Sequence, residues 1–216
     1  MPELRVLKED KRIQYLRSKD DRIRWLIDVI GEISYYKTDD YFAFLVDEIV
    51  GQMLSNTVAR SMRVKLHERC DNHVSPDSIL NLSEEAFRSI GLSKSKVQYI
   101  RNLAVLRKNG KVDLEGLELL SDDEVIKCLI GIKGIGQWTA KMFLLFALDR
   151  ADVLPYEDKA FLQSYKWLYN TTDVHPLKVK QNCDKWSPYT SLAVRYMYRA
   201  LDGGYTKTVV YEERNE

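Results

Sequence analysis

Three glycines within six residues form the segment of this sequence best suited to holding a phosphate. Gly131, Gly134 and Gly136 lie between two apolar helical patterns. Glycine lets the backbone turn tightly and approach another surface closely, and the first N–H groups of the following helix have no partner within that helix. We therefore predict a hairpin that binds a phosphate through its main chain, with Lys133 and Lys141 adding positive charge. The alternative is a plain turn between packed helices, because such glycine spacings are common.

Carboxylates are the second candidate group. The irregular stretch after the hairpin contains four of them, Asp149, Asp152, Glu157 and Asp158. A carboxylate can stabilise positive charge that develops during a reaction, or it can position a water molecule. The residue types alone do not choose among the four. Asp158 also suits the N-cap of a helix predicted over residues 159–169, and a carboxylate at a helix entrance can serve both purposes.

The hairpin and the acidic stretch both match one family of DNA-repair enzymes. The run G-I-G-x-W-T-A at residues 134–140 resembles the helix-hairpin-helix element of the DNA glycosylase superfamily named for that element, with Lys133 where proline is usual. Residues 152–158 resemble the family's loop in which a Leu-Pro pair precedes the catalytic aspartate. The residue at the position of that aspartate is Asp158.

Two further segments complete the resemblance. Upstream, residues 42–55 fit the pattern F-x-x-L-V-x-x-I-x-x-Q-x-x-S. Downstream, residues 186–193 resemble W-x-P-[WY]-R-S-x-A, with Thr190 where arginine is usual. The ordered matches run from roughly Asp20 to Tyr205, and within the superfamily they most resemble the 3-methyladenine DNA glycosylase II branch.

The resemblance implies a role for each matched position. Asp158 is the expected catalytic residue. Met53 occupies the position that fills the gap left by an extruded base, and the alternative is that it continues the apolar stripe of Ile49. The aromatic side chains expected around the base are Trp138, Tyr156, Trp186 and Tyr189. Each of these four also suits a core position. The residues expected on DNA are Gln52, Met53, Ser55, Lys133, Gly134, Gly136, Thr139 and Lys141.

Trp138 predicts the type of reaction. In family members that also cut the DNA backbone, a lysine at this position attacks the sugar as an amine nucleophile, which tryptophan cannot do. We therefore expect a monofunctional hydrolase that releases alkylated purines, such as 3-methyladenine, after base flipping. No cofactor is required. Cys183 stands alone near the C-terminus, which predicts no iron–sulfur cluster, and no side chains predict a metal site, although family hairpins can bind a monovalent cation through main-chain carbonyls.

The elements that must position these residues are helical. Apolar residues recur at helical spacing through nearly the whole chain, which predicts an all-α fold. Helix starts at Ser75-Pro76 and at the capping box Ser121-x-x-Glu124 fit a series of short helices, and only residues 208–211 suggest extended backbone. Residues 91–96 resemble the family segment G-L-S-x-x-K, and bare chemistry predicts a solvated helix start there.

The resemblance also implies a division into two lobes with a DNA cleft between them. One lobe, residues 31–150, carries the hairpin. The other, residues 1–30 with 151–216, carries the catalytic aspartate. Larger relatives begin with an extra α/β domain, and the residues before Asp20 are too few to form one, so we expect a minimal version.

Composition adds broader expectations. The 216 residues, 45% of them hydrophobic, can bury a core, and 33 basic against 32 acidic side chains give no global field that would attract nucleic acid. The odd set of Cys70, Cys128 and Cys183 favours a reducing compartment, and no apolar run approaches the ~20 residues of a membrane span. We expect a soluble, intracellular monomer, cytoplasmic or associated with a bacterial nucleoid, that binds damaged double-stranded DNA and no membrane.

Three other functions remain open. They are a non-catalytic helix-hairpin-helix DNA-binding module, a glycosylase for oxidised or mismatched bases, and an all-α interaction domain with coincidental glycines. Asp158 and the C-terminal aromatic residues favour an enzyme over the first and the third. The sequence separates alkylated from oxidised substrates only weakly.

Overall fold

The computed structural model describes residues 3–208, which fall into two compact units. One contains the described residues of Met1–Lys37 and Asp149–Glu216, and the other is Thr38–Leu148. The chain therefore leaves the first unit once and returns to it. The two functional lobes expected from the sequence, residues 31–150 and residues 1–30 with 151–216, remain a prediction.

Helices make up most of the described chain. In chain order they are α1 (Lys11–Lys19), α2 (Asp21–Ile30), α3 (Tyr41–Gly51), α4 (Asn56–Arg69), α5 (Pro76–Asn81), α6 (Glu84–Ile90), α7 (Lys94–Lys108), α8 (Asp122–Ile130), α9 (Gln137–Met142), α10 (Lys159–Tyr169), α11 (Pro176–Cys183), α12 (Thr190–Asp202) and α13 (Tyr205–Thr208). Short 3₁₀ turns occur at Gly116–Leu119 and Asp184–Trp186, and α9 continues into a π-helical turn at Phe143–Ala147. None of the helices in this described part is long and apolar enough to cross a membrane.

Two short strands add to the predicted all-α fold, which is otherwise confirmed. Strand β1 (Glu3–Val6) pairs antiparallel with β2 (Ile33–Tyr36). Each strand has four residues, too few for a period of two to stand out from the surrounding helical pattern. Of the stretch expected to be extended, Thr208 instead ends α13, and residues 209–211 lie outside the described residues.

The unit of Thr38–Leu148 is packed around the apolar helix α3. Leu45 and Ile49 of α3 are fully buried, as are Ile100 and Leu103 of α7. The π-helical turn contributes Phe143, which also has no exposed surface. Both predicted helix starts in this unit have capping boxes, at Ser75 and at Ser121, so those two predictions are confirmed.

The other unit is tied together by the buried carboxylate of Asp20. Asp20 separates α1 from α2, and its Oδ1 accepts the main-chain N–H of Arg22 at 3.0 Å, which caps α2. Its Oδ2 accepts the hydroxyl of Tyr169 on α10, the indole N–H of Trp186 at 2.9 Å and the ammonium of Lys185 at 3.0 Å. A buried charge is costly unless it is paired and hydrogen-bonded, so these donors fix how α2, α10 and the 3₁₀ turn Asp184–Trp186 meet.

The same contacts set the ionisation of Asp20. Burial by itself raises the pKa of this carboxyl group, but the hydrogen bonds from Tyr169, Trp186 and Lys185 outweigh burial, and the pKa ends below its usual value. A lowered pKa in the folded state means that the ionised carboxylate stabilises the fold at neutral pH. That stabilisation is lost as the pH falls through the pKa of the unfolded chain, about 3.9, toward the folded value.

We expect Asp20→Asn to lower the free energy of unfolding by about 2 kcal/mol at pH 7, because it removes the charge of a buried carboxylate whose cationic partner, Lys185, is itself more than a third exposed. The difference from the parent protein should shrink below about pH 4, where Asp20 protonates in the unfolded chain. Urea denaturation at several pH values measures both effects. The control is Asp21→Asn, whose exposed carboxylate pairs only with Arg24 among the described contacts, and a loss as large as that of Asp20→Asn would contradict the assignment.

Candidate functional site

The glycine hairpin forms between α8 and α9 as the sequence predicts. Ile132 and Ile135 are buried and anchor it, and the N–H of Ile135 donates to the carbonyl of Ile132 at 3.0 Å. Gly136 is the N-cap of α9, and no side chain among the described residues caps that helix. Lys133 is exposed and Lys141 is half-buried. The main chain of Gly136 and the charge of Lys133 therefore face solvent, as a phosphate contact requires.

Gly134 is the one hairpin position where only glycine fits. Its φ is +97°, in the left-handed region, and a Cβ built there would lie 2.3 Å from Cγ of Tyr99. Tyr99 lies on α7, so this ring packs directly against the hairpin backbone. No sequence motif singled out Tyr99, because its role depends on a contact with a residue 35 positions later in the chain.

Gln52 and Thr139, both expected on DNA, use their polar groups within this unit. The side-chain amide of Gln52 donates to the carbonyl of Gly134 at 2.9 Å and lies 3.2 Å from Oγ1 of Thr139. Thr139 is only 1% exposed, so the prediction that it contacts DNA is wrong. Gln52 instead joins the end of α3 to the hairpin and fixes their relative position.

Met53 projects from a tight turn that follows α3. Gln52 has φ −51° and ψ 131°, Met53 has φ +59°, and the N–H of Leu54 donates to the carbonyl of Gly51 at 3.2 Å. These are the features of a type II turn with Met53 at the position that usually requires glycine. Met53 is 92% exposed. The alternative that it continues the apolar stripe of Ile49 is therefore wrong.

One residue next to this turn in sequence and one from α7 lie beside it. Ser55 is exposed and is the N-cap of α4, where its hydroxyl accepts the N–H of Val58 at 3.4 Å. Lys96 was expected on a solvated helix start, but its ammonium group donates to the carbonyls of Val50 and Gln52. The spacing of charges on α7 could not reveal this contact, because Lys96 reaches back more than forty residues along the chain.

Asp158 caps α10 and is 8% exposed. Its Oδ1 accepts the main-chain N–H of Phe161 at 2.7 Å, and its own N–H donates to the carbonyl of Pro155 at 2.9 Å. The predicted N-cap is thus confirmed. Both contacts hold the carboxylate in one orientation at the start of the helix, beside the positive end of the helix dipole.

The four predicted aromatic residues lie in different surroundings. Trp186 is fully buried and donates to Asp20, so it has no surface for an extruded base and we correct its assignment to the core. Tyr189 is half-buried and packs edge-on against Tyr15, with ring centres 5.3 Å apart. Trp138, half-buried, is the second residue of α9.

Tyr156 lines a cavity in the described structure. This cavity, of about 320 Å³, lies within the unit that contains Asp158, and Leu154 and Thr190 also line it. The ammonium of Lys180 lies 4.0 Å from the centre of the Tyr156 ring. The ring face is thus already in contact with a cation, which is the type of group that such a face attracts.

A sequence model of the HhH-GPD superfamily of base excision DNA repair proteins matches residues 46–188 of this chain. The matched range includes the Met53 turn, the hairpin and Asp158. This chain belongs to the HhH-GPD superfamily.

Known proteins resemble this chain in sequence and in structure over most of its length. DNA-3-methyladenine glycosylase 1 of Schizosaccharomyces pombe is 28% identical over 207 residues, which cover 90% of this chain and 89% of that protein. The crystal structure of a DNA-3-methyladenine glycosidase from Bacillus halodurans is 30% identical, with a TM-score of 0.79 over 94% of this chain and 95% of that one. A 3-methyladenine DNA glycosylase of S. pombe in complex with abasic DNA gives a TM-score of 0.83 at 24% identity, over 89% and 97% of the two chains.

Across residues 3–208, no three or more His, Cys, Asp or Glu side chains are grouped so that they could hold a metal ion. The main-chain cation site at the hairpin and the expected lack of an iron–sulfur cluster stay predictions.

Substituting Met53 tests the turn geometry. We expect Met53→Gly to raise the free energy of unfolding by about 0.5–1 kcal/mol, because glycine adopts a positive φ without the steric cost that methionine incurs. Met53→Ala should give no such gain, since alanine meets the same backbone restriction. Chemical denaturation of the three proteins decides between these outcomes, and equal stability of the Gly and Ala variants would argue against the left-handed turn.

Substituting Gly134 tests the contact with Tyr99. Gly134→Ala should lower the free energy of unfolding by about 2 kcal/mol, because the added methyl group collides with the ring and the positive φ becomes unfavourable. In a protein that already carries Tyr99→Ala, Gly134→Ala should cost less stability, because the ring that the methyl group would meet is absent. Strictly additive losses in a double-mutant cycle would show that the ring and the hairpin do not touch.

Proposed function

We propose that this chain is a monofunctional DNA glycosylase of base excision repair, which hydrolyses the N-glycosidic bond of alkylated purines such as 3-methyladenine. The observation that carries the proposal is the buried, oriented carboxylate of Asp158, in a loop whose sequence, residues 152–158, resembles the catalytic loop of the superfamily. Similarity to DNA-3-methyladenine glycosylases over about nine-tenths of the chain supports the choice of substrate class.

Asp158 supplies the charge that this reaction needs. The sugar–base bond breaks through a state in which positive charge develops on the sugar, and a nearby carboxylate stabilises that charge or orients the attacking water. An alkylated purine is itself cationic and leaves readily. The chain therefore needs an oriented carboxylate and a selective aromatic contact, for which we propose Trp138, more than it needs a strong general acid.

Double-stranded DNA with a damaged base is the proposed partner. The glycosidic bond cannot be reached inside the duplex, so the base must leave the stack. The exposed Met53 is the proposed wedge that fills the gap, and Lys133 with the main chain of Gly136 is the proposed phosphate contact. The proposal includes an intracellular location and action as a monomer.

Trp138 argues against the reaction that also cuts the DNA strand, since it stands where relatives that cut the strand have lysine, and its indole ring has no amine that could attack the sugar. We expect incubation with methylated duplex DNA to release free base and leave an intact strand with an abasic site. Borohydride should trap no covalent adduct between protein and DNA. A trapped adduct would contradict the monofunctional mechanism, and its loss in Lys133→Met or Lys141→Met would identify the lysine that attacks the sugar.

The variant Asp158→Asn separates the chemical role of Asp158 from its structural role. Asparagine caps helices about as well as aspartate, so the melting temperature should change little. Loss of the charge should slow release of 3-methyladenine at least about 100-fold, the size of effect seen when one group that stabilises a charged transition state is removed. Single-turnover release from methylated duplex DNA is the measurement.

Glu157→Gln is the matched control for that experiment, because it removes the neighbouring carboxylate and should leave the rate near that of the parent protein. Full release by Asp158→Asn would remove Asp158 from the chemistry. Release of 8-oxoguanine or mismatched bases alone would reject alkylated purines as the substrate. A protein that binds DNA and releases no base would be a binding module.

A further inference from the structure

We propose that Lys96 is a positioning residue for Met53: its ammonium group closes the C-terminal end of α3 and holds the turn that presents Met53 to DNA. The inference rests on the proposed function, because that function makes Met53 a contact with the duplex. Lys96 would thus contribute to base extrusion through Met53, without entering the DNA stack itself.

Among the described residues, the ammonium group of Lys96 donates hydrogen bonds to main-chain carbonyls at one helix end. Its Nζ donates to the carbonyl of Val50 at 2.8 Å and to the carbonyl of Gln52 at 2.7 Å. The last carbonyls of a helix have no partner within the helix, and a cation there also interacts favourably with the helix dipole. Lys96 is half-buried, and burial lowers the pKa of its ammonium group. The charged group therefore gives up part of its hydration for these two contacts.

These contacts lie on both sides of the residue that begins the turn. Gly51, between the two carbonyls, accepts the N–H of Leu54 and so closes the turn. Gln52 is held at its carbonyl by Lys96 and at its side chain by Gly134. Rotation of Gln52 is thus restricted from two directions, and the direction in which Met53 points is set by Gln52.

Met53 needs such restraint because its own backbone preference opposes the turn. A methionine at a φ of +59° is in a conformation that residues other than glycine, asparagine and aspartate rarely adopt. Such a conformation persists only where surrounding contacts determine it. Lys96 provides a charged contact among them, from α7, which packs against α3; the guanidinium of Arg63, which donates to the carbonyl of Asp47, is another charged group at this end of α3.

A double-mutant cycle tests whether Lys96 acts through Met53. The four proteins are the parent, Lys96→Met, Met53→Ala and the double variant. The readout is the ratio of the dissociation constants for undamaged duplex DNA and for the same duplex with a tetrahydrofuran abasic-site analogue, at one fixed salt concentration. We expect each single substitution to reduce this ratio by roughly tenfold, and the double variant to reduce it no further than either one.

Two additional variants separate positioning from charge and from stability. Lys96→Arg keeps donors for the two carbonyls and should recover most of the preference for abasic DNA. Lys94→Met removes an exposed lysine two residues away on the same helix and should leave the preference unchanged. Melting temperatures of all the variants show whether any loss of binding follows loss of fold.

Additive losses at positions 53 and 96 would overturn the inference, because they would mean that Lys96 supports the fold or binds DNA independently of Met53. So would an equal loss with Lys94→Met. Base release by the parent protein, measured in parallel, keeps the two proposals distinguishable: coupling without base release leaves the positioning role and rejects the enzyme, whereas base release without coupling does the reverse. A parent protein that does not prefer abasic DNA overturns the positioning role.

Discussion

A methionine held in the left-handed region of backbone space is the constraint on which the arrangement of the unit Thr38–Leu148 depends. Such a conformation costs on the order of 1–3 kcal/mol for a residue other than glycine, and contacts from three elements offset that cost. The turn closes its own hydrogen bond between Gly51 and Leu54, Lys96 reaches it from α7, and Gln52 ties it to the hairpin between α8 and α9. The hairpin that suits a phosphate and the side chain that suits a gap in the stack are therefore fixed relative to each other through Gln52.

The other unit has a carboxylate at the start of each of two helices, and the two carboxylates differ in their contacts. Asp20 caps α2 and accepts hydrogen bonds from Tyr169, Trp186 and Lys185. Its carboxylate therefore stabilises the packing of this unit. Asp158 caps α10 through Oδ1 and is the carboxylate that we propose for catalysis. The cap fixes the orientation of the carboxylate before any substrate arrives, and a charge that is already oriented stabilises a transition state without the cost of reorganisation.

Motifs with strict spacing predicted the local features well. The capping boxes, the hairpin, the N-cap at Asp158 and the superfamily followed from residues close together in sequence, because helix caps and glycine turns depend on local backbone chemistry. The proposed wedge role of Met53 could not be separated from a core position by spacing, since helical spacing fits both. The turn that exposes Met53 depends on a φ that methionine rarely adopts.

Features that depend on distant residues were missed or misassigned. Trp186 fits a pocket motif but is buried against Asp20, which precedes it by more than 160 residues. Thr139 and Gln52 fit a DNA-binding motif, yet their polar groups meet each other at 3.2 Å. Tyr99 and Lys96 carry no motif that reveals their contacts with the hairpin and with α3. In each case the partner, and not the residue type, decides the role.

A crystal structure of this chain bound to a duplex with an abasic-site analogue tests the central claim most directly. The account predicts that the side chain of Met53 lies within the base stack at the gap, while Gln52 keeps its hydrogen bond to Gly134 and Lys96 keeps its contacts with Val50 and Gln52. A complex in which the stack is intact or filled by another side chain, with Met53 still in solvent, would contradict it.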